Sequence, residues 1–177
     1  LEDFRVWFFQ SLQEQKEDAT GKSLYQDQVR SHLHRDSVPF LDSLPMDFQK
    51  ILDVGCGAGF DCQWLAAQGK SVIGLTGNST PAQHEFAEAN GFEIRDMDMH
   101  ALEFDDATFD AILCKHTLEH SVSPLGALWE MRRVLRPGGY MFLVVPPHHR
   151  RYVESGHFTQ GWSIGQVIYC LAVTCYD

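Results

Sequence analysis

Apolar and polar positions fall into two textures along the chain. In residues 1–48, apolar residues recur at helical spacing, as at Phe4, Phe8 and Leu12, and continue through Ser23–Leu33 and Val38–Leu44 between polar stretches. This pattern predicts an N-terminal segment of two or three short helices. From residue 49 to 177, apolar runs of strand length alternate with helical stretches, the rhythm of βαβ units that feed a parallel sheet. The predicted strands are Lys50–Val54, Ser71–Leu75, Phe92–Asp96, Phe109–Cys114 and Tyr140–Val145. Helices are predicted at Phe60–Gln68, Thr80–Asn90 and Pro124–Leu135, the last stopped by Pro137-Gly138-Gly139, with a further one at Trp162–Val173. The expectation is an α/β domain over 49–177, with 1–48 as a separate helical piece.

Composition narrows the function classes. The chain has 177 residues, 44% of them hydrophobic, enough for one full-sized core. Fourteen Lys and Arg against 24 Asp and Glu give a net charge of −10, which repels polyanions and favours a small-molecule substrate over nucleic acid. Cysteines at 56, 62, 114, 170 and 175 are odd in number and form no C-x-x-C, which argues against a disulfide framework or a structural zinc. No run approaches the roughly 18 apolar residues of a membrane span, and the opening LEDFRVWFF lacks signal-peptide features. A cytoplasmic protein is expected, and a homo-oligomer stays open.

The first predicted strand runs straight into glycines, Ile51-Leu52-Asp53-Val54-Gly55-Cys56-Gly57-Ala58-Gly59, and a helix follows. Glycine lets the backbone turn tightly and approach a ligand where a Cβ would collide, and the helix N-terminus offers unpaired N–H groups. A plain tight turn is the alternative, and the strand–turn–helix setting weighs against it. A dinucleotide fingerprint would rest a pyrophosphate on the helix N-terminus, but positions 60 and 61 are Phe and Asp, and Asp61 would repel it. Asp53 at the strand end suits a cationic amine. The turn therefore fits an amino-acid-bearing ligand better than a pyrophosphate.

Three ordered blocks carry a resemblance to a known family: LDVGCGAG at 52–59, MDMHALEFDDATFDAILCKHTLEH at 97–120, and WEMRRVLRPGGYMFLVVP at 129–146. Together, over about residues 48–146, they resemble the class I S-adenosylmethionine-dependent methyltransferases, in particular the small-molecule branch that shares features with ubiquinone-biosynthesis enzymes. The resemblance implies a three-layer Rossmann-like sandwich with a mostly parallel sheet of order 3-2-1-4-5. It implies S-adenosylmethionine as cofactor and an oxygen or carbon of a small molecule, lipid or sugar as methyl acceptor. By position, Asp53, Gly55, Cys56, Gly57 and Gly59 would hold the methionine end, with Asp53 near its amino group. Asp98 would accept a hydrogen bond from the adenine amino group, and the Met99 backbone would meet the ring. Lys115 and His116 would line the methionine portion, with His120 close by. A helical N-terminal lid, to which Tyr25 would belong, is similar to what the family shows.

The chain departs from the family pattern twice. Strand 2 usually ends in Asp or Glu, which grips the ribose hydroxyls; here the run is Gly74-Leu75-Thr76-Gly77-Asn78, as in similar lipid methyltransferases. Thr76 and Gly77 take that place, with Asn78 or Gln83 as helpers. A neutral hydrogen bond contributes about 0.5–1.5 kcal/mol against about 1.5–3 for one to a charged group, so weaker cofactor binding is expected. Secondly, strands 6 and 7 of the family sheet are missing from these residues. Strand 5, with Tyr140, Phe142 and Val144 on one face, is expected to need cover from missing residues, a partner chain or an unusual edge.

Methyl transfer from an activated donor needs mainly alignment and exclusion of water, and a base is an optional addition. His116, His120 and His148 are the candidates, because imidazole titrates near neutrality. Adjacent His148 and His149 point apart in extended chain, so no metal site is expected there, even with His157 near. Arg150 and Arg151 suit an anionic or hydroxylated substrate. The carboxylates of residues 93–110 read mostly as a solvated surface. Cys114-Lys115-His116-Thr117 stands where nucleobase methyltransferases carry an Asn/Asp-Pro-Pro-Tyr/Phe pattern, which disfavours that substrate. The alternatives are a cofactor-binding regulatory or assembly subunit without turnover, and a nicotinamide oxidoreductase, which Phe60 and Asp61 disfavour.

Overall fold

Short runs of β-branched and aliphatic residues become buried strands because a parallel sheet covered on both faces asks for continuous apolar sequence rather than strict alternation. In a computed structural model, which describes residues 4–10, 41–145 and 163–175, the elements in chain order are β1 (Phe4–Gln10), β2 (Lys50–Val54), α1 (Phe60–Ala67), β3 (Ser71–Thr76), α2 (Pro81–Ala89), β4 (Glu93–Asp96), β5 (Phe109–Lys115), α3 (Pro124–Val134), β6 (Leu135–Val145) and α4 (Ile164–Cys175). The strands form one sheet of order β1-β6-β5-β2-β3-β4, and every pairing is parallel. Counted from β2, this contains the expected order 3-2-1-4-5. Residues 1–11 and 48–177 form one compact unit and residues 12–47 another.

Alternation along the strands builds a core on each face. Leu52, Val54, Met141, Leu143 and Val145 join Leu128, Met131 and Val134 of α3 and Val167 of α4 in one continuous cluster. On the opposite face Ile51, Tyr140 and Phe142 are buried. The Phe48 ring packs there, 6.2 Å from the Tyr140 ring and 5.8 Å from that of Phe142. Each fully buried side chain of this size contributes about 1.5–3 kcal/mol, so the two cores hold the sheet as a rigid platform.

The helical reading of Phe4 and Phe8 is corrected: Phe4–Gln10 is a strand, paired with β6 from Phe4↔Gly139 to Gln10↔Val145. A short apolar run carries both periods, and the length and the Val, Trp and Phe content of FRVWFFQ favour a strand. The sheet decides between them, because β1 supplies hydrogen-bond partners to the β6 edge expected to lie open. The sequence-predicted helix Ser23–Leu33, with Tyr25, lies outside the described residues, as do Leu12, His148, His149, Arg150, Arg151 and His157.

Pro137-Gly138-Gly139 is not the helix stop: α3 ends at Val134 and the tripeptide lies within β6. The ladder to β5 is irregular between Phe109 and Ala111, and Gly138 takes a left-handed φ of 73° there. Gly139 is required by crowding, since a Cβ would sit 2.8 Å from the Asp110 carbonyl oxygen.

Candidate functional site

A cavity of about 690 Å³ opens at the C-terminal ends of β2, β3, β4 and β5. The strand order reverses at β2, with β3 on one side and β5 on the other, and ligands bind open α/β sheets at such a point. Val54 and Leu75 give the cavity an apolar floor, and polar groups stand around it. The volume is that of a small-molecule site.

The glycine loop after β2 is shaped by what lies beneath it. The N–H groups of Gly55 and Cys56 both donate to the Leu75 carbonyl, at 3.0 and 2.8 Å, which pins the loop across the end of β3. Gly55 has φ +80°, and a Cβ there would run into the Thr117 side chain. Gly57 faces the other way: its φ is +56° and nothing lies within 4 Å of a Cβ position, leaving open space at the cavity. Gln83 at the start of α2 donates from Nε2 to the Gly57 carbonyl at 2.7 Å while completing a capping box with Thr80. Two crossing tethers thus hold the loop before any ligand arrives.

Behind the loop sits a buried charged cluster. Asp53 is 2% exposed and its Oδ2 accepts the Cys62 thiol at 3.2 Å. Burial, reinforced by the Asp61 charge, pushes its carboxyl up to about 7 against the pull of Lys115 and the Cys62 hydrogen bond. Asp61, also buried, forms an ion pair with Lys115. The Asp61 charge is therefore compensated by Lys115, and the sequence argument that Asp61 alone repels a phosphate loses its force.

One wall of the cavity comes from the β3 and β4 ends. Thr76 and Asp96 are register partners across these strands, and both line the cavity with Gly77, Met97, Asp98 and Met99. Asp96 accepts the Ser79 N–H at 2.6 Å and the Ser79 hydroxyl at 2.5 Å, and these bonds lower its carboxyl pKa. Asp98 accepts the His100 N–H at 2.9 Å and contacts the ring Nδ1 at 2.6 Å; the backbone bond first and the ring second lower its pKa too. The other His100 ring nitrogen lies 2.7 Å from the Ser121 hydroxyl, so this imidazole links the β4 end to the segment after β5.

The opposite wall is the turn after β5. His116, Thr117 and His120 line the cavity. His116 is held at φ +50°, a left-handed conformation shared among non-glycine described residues only with Ala107, and its N–H donates to the Val144 carbonyl at 2.8 Å. Such backbone costs about 1–3 kcal/mol and persists where surrounding structure enforces it. Residues Leu118–His120 make one turn of 3₁₀ helix. It carries Glu119, only 1% exposed, whose Oε1 stands 3.6 Å from His116 Nδ1.

Of the residues singled out from sequence, Gly55, Gly57, Thr76, Gly77, Asp98, Met99, His116 and His120 converge on the cavity. Asp53, Cys56, Gly59 and Lys115 do not line it, and Asp53 and Lys115 belong instead to the buried cluster under the loop. Gln83 is engaged by Thr80 and Gly57, and His148 lies outside the described residues. Sequence reading missed Asp96, Met97, Thr117 and the buried Glu119. The strand ends pair Thr76 with Asp96, and Leu-Glu-His carries Glu119. Among the described residues no group of three or more His, Cys, Asp and Glu is placed to hold a metal ion, and no helix is long and apolar enough to cross a membrane.

A family model described as a methyltransferase domain matches residues 52–143. The ubiquinone biosynthesis O-methyltransferase of Paracidovorax citrulli is 34% identical over 110 residues, covering 58% of this chain and 46% of that protein. The chain spans about half the length of the curated relatives it matches. A SAM-dependent methyltransferase of Methanosarcina mazei superposes with a TM-score of 0.53 at 26% identity, over 66% of this chain and 60% of that one. A chain from the complex of the Haloferax volcanii Trm112 methyltransferase activator with a methyltransferase shares the fold at TM-score 0.68 and 20% identity, over 84% of this chain and 70% of that one. With more than half of its residues inside the matched block, the chain belongs to the methyltransferase domain family, whose cofactor is S-adenosylmethionine.

Proposed function

We propose that the protein transfers a methyl group from S-adenosylmethionine to an oxygen of a small molecule. The observation that carries this reading is the composition of one cavity: ionised carboxylates and a glycine loop on the β2–β4 side, and two imidazoles on the β5 side. The relatives named for O-methylation in ubiquinone biosynthesis support an oxygen acceptor.

The residues present fit the cofactor. The open side of Gly57 admits a chain where a Cβ would intrude, and Val54 and Leu75 offer an apolar floor. Asp98, held ionised by His100, is suited to accept from an adenine amino group. Asp96, beside Thr76, offers a carboxylate to vicinal hydroxyls near the place where the family carries its strand-2 acid. Asp53 acts from behind the loop, where a cationic amine on the ligand would favour its ionised form.

Bound there, S-adenosylmethionine would supply a methyl carbon already activated by its positive sulfur. The glycine loop fixes one partner, and the apolar floor keeps water from the crevice. His116 and His120 face this space and are placed to take the proton of an attacking hydroxyl. Recognition of an anionic or hydroxylated acceptor by Arg150 and Arg151 and a base role for His148 belong to the same proposal.

Calorimetric titration with S-adenosylhomocysteine, followed by a labelled-methyl assay across phenols, catechols and sugars, tests the reading. Binding together with label on an oxygen supports it. Binding without transfer to any acceptor would point to a cofactor-binding subunit, and binding of NAD alone would overturn the cofactor.

A further inference from the structure

One carboxylate of the cavity is held from behind by a chain of hydrogen bonds that reaches the protein interior. Asp98 lines the cavity, and its Oδ1 is engaged twice by His100: it accepts the backbone N–H at 2.9 Å and stands 2.6 Å from the ring Nδ1. Both bonds lower the Asp98 pKa. An ionised carboxylate only accepts, so Nδ1 carries a proton and donates it. Oδ2 takes no hydrogen bond among the described residues and is left for a ligand.

His100 is itself anchored. Its Nε2 lies 2.7 Å from the hydroxyl of Ser121, which is 1% exposed at the end of the 3₁₀ turn. The same hydroxyl accepts the Ser123 N–H at 3.1 Å. The ring edge lies near α3, with Cδ2 3.8 Å from where a Cβ at Gly126 would stand. An exposed pair free at both ends moves and contributes little. Here any turn of the ring would break a bond at each nitrogen, so the imidazole holds Oδ1 in one place.

A carboxylate fixed in this way reads a purine by its donors. A 6-aminopurine offers it an amino N–H. A 6-oxopurine puts an oxygen at that place, and its nearest donor is the neighbouring ring N–H. A carboxylate free to turn could follow that donor; a fixed one faces an oxygen with no proton between them, which is costly.

We propose that His100 is a positioning residue, held by Ser121, which fixes the Asp98 carboxylate so that the crevice takes a 6-aminopurine and discriminates against a 6-oxopurine. This rests on the reading in which Asp98 faces the adenine of S-adenosylmethionine. Asp98 touches the ligand, and His100 and Ser121 act only through it.

The test compares S-adenosylhomocysteine with S-inosylhomocysteine, its 6-oxo counterpart, by calorimetric titration of the full chain. The wild type should bind the adenosyl compound at least about tenfold more tightly. His100→Ala should weaken that compound by about three- to tenfold and the inosyl compound less, so that the preference narrows. Asparagine places its amide nitrogen near the position of Nδ1, so His100→Asn should retain more of the preference than His100→Ala. Ser121→Ala should narrow it in the same direction. On an Asp98→Ala background, His100→Ala should change neither affinity further, the sign that the two residues act as one unit. A merely structural role would weaken both compounds alike. That result, or an unchanged preference in a folded His100→Ala, overturns the proposal, and if His100→Ala does not fold, Ser121→Ala decides by the same criterion. A wild type that binds both compounds equally overturns the proposal alone. A wild type that binds neither removes the methyl-donor reading and the proposal with it.

Discussion

The two walls of the cavity are built in opposite ways. On the β3–β4 side the functional groups are carboxylates fixed by short local bonds, Asp96 by Ser79 and Asp98 by His100, on relaxed backbone at exposed strand ends. On the β5 side they are imidazoles on a turn that begins with a left-handed histidine and closes over a buried glutamate. A wall that only holds a ligand can be assembled from ionised, solvated acceptors. On the proposed reading the second wall exchanges a proton with the acceptor, and its turn is fixed by backbone strain at His116. The glycine loop lies between, tethered to β3 through Leu75 and to α2 through Gln83, and serves both sides.

The sharpest way to break this comparison is at His116. Asparagine tolerates the left-handed conformation, so His116→Asn should keep the fold, leave S-adenosylhomocysteine affinity unchanged and reduce methyl transfer by about 10²–10⁴. An equal loss of affinity and rate would make the β5 wall a binding wall like the other.

Next in size is the loop. Gly55→Ala drives a Cβ into Thr117 and should cost about 2–4 kcal/mol in chemical denaturation. Gly57→Ala meets nothing in the protein, should cost only about 1–2 kcal/mol, and should show its main effect as lost cofactor affinity. Finding the reverse would mean that the open side of Gly57 is not the ligand's side.

On the holding wall, Asp98→Ala removes a charged acceptor worth about 1.5–3 kcal/mol and should weaken S-adenosylhomocysteine binding by more than about tenfold in calorimetry, while Tm of the free protein barely moves. An unchanged titration curve would take Asp98 out of the pocket.

A last prediction concerns the cluster beneath the loop. The folded state raises the Asp53 carboxyl from 3.8 to about 7, so between these values the folded chain keeps a proton that the unfolded chain has released. Its contribution to stability is greatest at low pH and is lost as pH rises through about 7. Melting at about pH 5 and about pH 8 should show the wild type losing more stability than Asp53→Asn across this interval. Equal losses would mean that Lys115 and Cys62 fully offset the burial of Asp53.

The β2–β6 half of the fold was legible because a parallel sheet writes itself as apolar runs separated by helices of ordinary length. The runs at Lys50–Val54 and Ser71–Thr76 are seen almost to the residue. The N-terminal strand was not, because FRVWFFQ fits either period and only the unpaired edge of β6 settles it. Cavity residues were legible where glycines announce a turn, as at Gly55 and Gly57, or where the family resemblance marks an acid, as at Asp98 just beyond the end of β4. Asp96 and Glu119 were not, because what marks them is a cross-strand register and near-complete burial. Asp53 shows the converse: its place at a strand end suggested ligand contact, yet folding turns it into the protein, against Cys62.

The central claim is that this crevice holds S-adenosylmethionine between Asp98 and the glycine loop. Titration of the chain with S-adenosylhomocysteine by calorimetry, repeated on Asp98→Ala and Gly57→Ala, tests it most directly. The account predicts one site per chain, weakened by both substitutions. Absence of binding, or binding that neither substitution changes, would contradict it.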